Sequence, residues 1–182
     1  MTVKEILASA AGMLGRADVA DFLENGVGSD VKALESERDV LLRCYNSVER
    51  EMACDYRPLR FTESIASNGF VGYSALSKRP VEVEKVIQSG VQVPFIACTE
   101  GVKTPQGVVE IAYRYVPERK AADDESDYTE RESRALASGV ACEYSLACGL
   151  YEQALTWDAR YKAALAALCR GRSMTLKMRR WI

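Results

Sequence analysis

The sequence predicts an α+β fold: a mainly helical bundle of about four helices, an inserted antiparallel β segment and an extended C-terminal tail. Three observations carry this. Apolar residues recur at helical spacing from Val3 to Met52. Between Leu59 and Pro117 the period changes to two, in segments rich in β-branched and aromatic residues. Helical spacing then returns and gives way to a basic run. With 182 residues, one domain is expected. It consists of a helical base over 1–56 and 123–170, the β insertion over 59–117 and a docking tail over 171–182.

The first element opens on Thr2-Val3-Lys4-Glu5, a capping-box pattern in which Thr2 and Glu5 satisfy each other's backbone amides. Val3, Ile6, Leu7, Ala10, Met13 and Leu14 form its apolar stripe, and Gly15 is its stop. A second short helical turn is expected over Ala17–Glu24, broken by Asn25-Gly26 and Gly28-Ser29. A long helix follows from about Val31 to Asp55, capped by Ser29 or Asp30. Leu34, Leu41, Tyr45, Val48 and Met52 line one face, and Glu35, Glu37, Arg38, Asp39 and Glu49 lie mostly elsewhere. Arg57-Pro58 ends it, because proline disfavours helical backbone in the residue before it.

Val83–Gln88, Val93–Gly101 and Gly107–Val116 read as strands, and Leu59–Ser67 and Phe70–Leu76 as further candidates. In the clearest, Val109, Ile111, Tyr113 and Tyr115 share one face, and Glu110, Ala112 and Arg114 the other. Thr104-Pro105-Gln106-Gly107 reads as the turn of an antiparallel hairpin, with proline pre-setting φ at its second position. An acidic loop follows, with Asp123, Asp124, Glu125 and Asp127. It reads first as a solvated helix start, with Asp127 and Glu130 as a second capping box. The next helix is rich in small residues (Ala135, Ala137, Ser138, Gly139, Ala141), which suits close packing on more than one side, and Gly149 bends or breaks it. A last helix runs from about Tyr151 to Cys169, with Ala154, Tyr161, Leu165 and Leu168 facing inward and Gly171 closing it.

Composition excludes several kinds of chemistry. There is no histidine, which removes Ser–His–Asp and Cys–His catalysis and the commonest metal ligand. None of the six cysteines stands in a CxxC pair; they read as buried free thiols in a reducing cytosol. Gly26-Val27-Gly28-Ser29 matches no phosphate-loop pattern and follows no strand. No catalytic, cofactor-binding or metal-ligating residue is therefore nominated, and the chain is expected not to be an enzyme. Net charge is −2 and the isoelectric point is about 5.4, so overall charge does not favour nucleic acid or a membrane surface. The N-terminal stretch, with Lys4 and Glu5 and no long apolar run, is not read as a signal peptide. No stretch approaches the ~18 apolar residues of a membrane span.

The basic run gives the sharpest functional lead. Arg170, Arg172, Lys177, Arg179 and Arg180 stand with Trp181 and Ile182, and nothing acidic offsets them. Arginine forks suit carboxylates on a protein partner, with Trp181 as an apolar anchor. Folding back on the domain ranks behind that, and phosphate binding behind both. Paired carboxylates in the acidic loop nominate no acid–base pair, because an exposed loop gives no burial to raise a pKa.

Three stretches are similar to a known family: KEILASAAGMLG at 4–15, YRYVPE at 113–118, and above all ALASGVACEYSLACGLYEQALTWDARYKAALAAL at 135–168 followed by RRWI. They resemble the small neck proteins of tailed phages and prophages, the head–tail adaptors or connectors, and the order of elements fits as well. At the residue level the resemblance runs from about Tyr128 onward. It implies a structural virion protein, made in the host cytoplasm and placed in the neck between head and tail. Its subunits would form a ring, commonly a dodecamer, bound to the portal protein and extending the DNA channel towards the tail. Carried over, residues Arg170 to Ile182 reach into the portal, and the β insertion faces neighbours or the next tail or neck protein. Asp123, Asp124, Glu125 and Asp127 become candidate channel-lining residues past which packaged DNA slides without sequence-specific binding. The rival readings are a small DNA-binding regulatory protein that uses the basic tail, and an enzyme of small-molecule metabolism.

Overall fold

A computed structural model describes residues 1–169. Over these residues the chain forms five α-helices and one five-stranded antiparallel sheet, divided between two compact units. One unit comprises Met1–Tyr45 and Tyr128–Cys169; the other comprises Asn46–Asp127.

In the helical unit, α1 (Val3–Met13) opens on the expected capping box. The Glu5 amide donates to Thr2 Oγ1 at 3.3 Å and the Thr2 amide to Glu5 Oε2 at 2.9 Å. Val3, Ile6, Leu7 and Ala10 are buried as the stripe requires, and Ala8 and Ala11 widen it. α2 (Ala17–Asn25) buries Val19 and Leu23. α3 (Val31–Glu51) begins at Asp30, whose Oδ1 accepts from the Ala33 amide at 3.2 Å. Its predicted stripe of Leu34, Leu41, Tyr45, Val48 and Met52 is buried throughout. A five-residue π-helical turn, Met52–Tyr56, then ends the helix ahead of Pro58. Glu49, expected away from that stripe, is also buried.

α4 (Glu130–Ala147) packs against both α1 and α5 (Tyr151–Cys169), which is why Ala135 to Cys142 are all buried. Small side chains let two helix backbones approach α4 closely. Its capping box is not Asp127 with Glu130 but lies two residues on, at Thr129 and Glu132, where the Thr129 amide and hydroxyl both donate to the Glu132 carboxylate. The expected break at Gly149 is a Schellman motif. Gly149 adopts φ +73°, its amide donates to Leu146 O at 3.0 Å, and the Leu150 amide to Ser145 O at 2.8 Å. Trp157, absent from the expected stripe of α5, is buried with Ala141 and Cys142.

The expected four-helix bundle with a small inserted β segment is overturned by the sheet. Strand β1 (Leu59–Gly72) pairs along most of its length with β5 (Gly101–Tyr115). β5 also pairs with β2 (Pro80–Gln88) and β4 (Ile96–Ala97), and β2 carries β3 (Val91–Val93). The sheet has its own core of Val71, Leu76, Val86, Val102, Val109, Ile111 and Tyr113. Thr104–Gly107 is not a hairpin turn. It runs inside β5, where one extra residue opposes Asn68–Phe70. Pro105 has no amide to donate, and it occupies the interruption in the ladder where none is needed. Ser67 and Thr104 join their hydroxyls across that bulge at 2.7 Å. Gly101 is needed for close approach: a Cβ there would stand 2.3 Å from Val71 O.

Candidate interaction surfaces

The acidic loop leaves β5 and is fixed within the sheet unit. The Lys120 amide donates to Asn46 Oδ1 at 2.7 Å, and Asn46 Nδ2 donates to Lys120 O at 3.1 Å. The four acidic residues singled out from the sequence then fall into two kinds. Asp127 is half-buried, paired with Lys120 Nζ at 3.0 Å, and its amide donates to Glu49 Oε1 at 3.3 Å. Asp124 closes a turn by accepting from the Ala121 amide at 2.7 Å. Asp123 and Glu125 are exposed and have no side-chain partner among the described residues. Arg170, Arg172, Lys177, Arg179, Arg180, Trp181 and Ile182 lie outside the described residues.

The sheet carries two polar clusters. On the core face, the Tyr113 hydroxyl donates to Glu63 at 2.5 Å, and Ser77 donates to the same carboxylate through its amide at 2.8 Å and its hydroxyl at 2.5 Å. Burial works to raise the Glu63 pKa, but the bonds from Ser77 and Tyr113 outweigh it and hold the carboxyl below its usual range. Burial, helped by Glu63, pushes Tyr113 up to about 12. On the opposite face Glu84 accepts from Arg60 at 2.8 Å and Arg114 at 2.8 Å, while Arg114 also pairs with Glu82 at 3.0 Å. The bond from Arg60, ahead of that from Arg114, lowers Glu84 to about 2. These charges are paired with one another and form a solvated, self-satisfied face.

In the helical unit, Arg16 bonds to Asp18 at 3.0 Å and to Glu37, and Tyr144 donates to Glu37 at 3.0 Å. The two carboxylates raise the Arg16 pKa; burial, then the bond to Glu37, raises that of Tyr144. This braces the start of α2 against α3 and α4. Its charges are spent on each other, so it is a structural clamp.

Two surfaces of this unit are not spent in that way. The first is a groove of about 540 Å³ between α4, α5 and the end of α1. Its floor is apolar, with Met13, Ala135, Trp157, Ala164 and Leu168. Arg131, Arg134 and Arg160 rim it, all exposed and with no ion pair among the described residues. The Arg160 guanidinium lies 4.7 Å from the centre of the Trp157 ring, and that stacking orients it. The second surface is apolar: Leu146, Leu150, Tyr151 and Leu155 stand exposed around the α4–α5 turn. Sequence reasoning missed both. Arg131 and Arg134 are three apart, as are Trp157 and Arg160, so each pair shares a helix face. That signal was present, but only the packing of α4 on α5 brings the pairs to one groove. Likewise Leu146 continues the helical spacing of α4, and the turn at Gly149 leaves it outside.

Cys44 and Cys142 are the buried free thiols expected, but Cys54 and Cys148 are exposed. Burial pushes the Cys44 thiol up to about 11. Among the described residues, no group of three or more cysteine, aspartate or glutamate side chains converges as a metal site, and no helix is long and apolar enough to cross a membrane. No protein-family model matches the chain, and no curated protein matches it by sequence.

Proposed function

We propose that the chain is a non-enzymatic structural subunit of a tailed-virus particle: a head–tail adaptor whose ring binds the portal and extends the DNA channel towards the tail. The observation that carries a protein-binding role is the exposed apolar cluster of Leu146, Leu150, Tyr151 and Leu155. Exposed apolar side chains gathered around one turn are costly in water and mark contact surfaces. The unpaired arginine rim of the neighbouring groove adds charge to the same unit. The resemblance of residues 128–182 to neck proteins supplies the specific assembly. In this reading the protein is made in the host cytoplasm and ends in the virion, and its partners are copies of itself, the portal, the next neck or tail protein and the passing DNA.

The test is the mass of the purified chain, alone and mixed with candidate portal rings, then repeated without residues Arg170 to Ile182. Binding of many copies that vanishes with the truncation is the expected result. A chain that ignores portals overturns the proposal. The second reading, a small DNA-binding regulatory protein, draws on the basic run at 170–180 and on Arg131, Arg134 and Arg160. It predicts DNA binding that weakens steeply with salt.

A further inference from the structure

We propose that the arginine groove receives the acidic loop of a second copy of this chain, so that Arg131, Arg134 and Arg160 of one subunit hold Asp123 and Glu125 of the next. The inference rests on the adaptor-ring reading and names the contact that would join neighbouring subunits.

The groove and the loop complement each other in charge. Three exposed arginines surround the groove, and among the described residues none has an acidic partner. Arg160 is already oriented by Trp157, so less side-chain freedom is lost when it pairs. The loop offers two exposed carboxylates without partners on either side of Asp124. Its backbone is pre-formed, because Asp124 closes the turn, Asp127 is held by Lys120, and Asn46 anchors the strand side. A rigid loop gives up little entropy on docking.

The apolar floor favours a peptide over a phosphate backbone. Ala121 and Ala122 precede the acidic residues, and their methyl groups suit a groove whose lining includes Ala135, Ala163, Ala164 and Ala167. Groove and loop are different surfaces of the same chain, so the contact is heterologous, the type that closes a ring when the rotation between copies closes and runs on as a filament when it does not. Exposed like charges in an unassembled chain also keep association dependent on salt, since each pair lies near solvent.

The experiment is sedimentation of the full chain at low and high salt, with three variants. R131E/R134E/R160E reverses the groove and D123K/E125K reverses the loop; Asp124 is left alone because it holds the turn. The third variant combines all five changes. Each reversal alone is expected to weaken self-association roughly tenfold or more. The five-fold swap should restore it, and so should an equal mixture of the two single-surface variants, because each groove then meets a loop of opposite charge on the other variant, whereas neither variant alone assembles. Circular dichroism checks that each variant folds. Self-association that survives D123K/E125K overturns the proposal, as does a wild-type chain that stays monomeric at every concentration. Loss of DNA binding on groove reversal, with assembly unchanged, assigns the groove to nucleic acid and also overturns it. Portal binding separates the two readings. Portal binding indifferent to loop charge leaves the adaptor standing without this contact. The expected charge-swap pattern in a chain that ignores portals leaves the contact standing without the adaptor.

Discussion

Tyr113 lies on the core face of β5, and its hydroxyl ends on the Glu63 carboxylate, itself held by Ser77. The Lys78 amide donates to the same hydroxyl at 3.2 Å. Tyr113→Phe keeps the ring and removes the donor, leaving Glu63 with the two bonds from Ser77 among the described residues. A lost bond to a charged, half-buried acceptor costs about 1.5–3 kcal/mol. The denaturation midpoint of the variant should fall accordingly, with an unchanged slope against denaturant. Glu84 gives a pH signature. Its pKa falls from 4.5 to about 2 in the folded sheet, because Arg60 and Arg114 bind the charged form. Its stabilisation is therefore complete above the unfolded value near 4.5 and disappears as pH drops towards 2, where the unfolded chain takes up the proton first. Glu84→Gln should flatten that part of the stability-versus-pH curve, followed by amide exchange of β5, while leaving the curve above pH 5 parallel to that of the parent.

At the scale of elements, the ends of helices were more legible than the ends of strands. Thr2-x-x-Glu5, Asp30 and Gly149 act as their side chains and φ preferences dictate, since a cap is a contact among residues close in sequence. Two such patterns competed at the start of α4. The Thr129–Glu132 pair won over Asp127–Glu130 because Lys120 takes the Asp127 carboxylate. Thr129→Ala should cost about 1 kcal/mol, read as a lower thermal midpoint and faster exchange confined to the first turn of α4. In the sheet, Thr104-Pro105-Gln106-Gly107 read as a turn. They instead mark the bulge at which β1 and β5 continue past each other. A turn and a bulge use the same residues, and only the partner strand distinguishes them.

Among the described residues, the chain forms two compact units rather than a bundle with an appendage. The outward cluster of Leu146, Leu150, Tyr151 and Leu155 contributes little to either. Leu150→Ser with Leu155→Ser should therefore leave the thermal midpoint nearly unchanged while abolishing portal binding in the mass measurement. A large loss of stability would show the cluster to be packing surface after all. By itself, the sequence determined what short-range physics controls. It carried the α+β class, the buried stripe of α3, the inward face of β5 from Val109 to Tyr113, and the caps at the starts of α1 and α3 and at the end of α4. The absence of histidine was legible at once, and so was the solvated character of Asp123 and Glu125. Only the tertiary structure decided that the β region is a five-stranded sheet with its own core, that Glu49 is buried, and that Arg131 and Arg134 line one groove with Arg160 and Trp157. Periodicity records which side of an element is apolar. It does not record which other element that side will meet, and both the sheet pairing and the arginine groove depend on residues far apart in the chain.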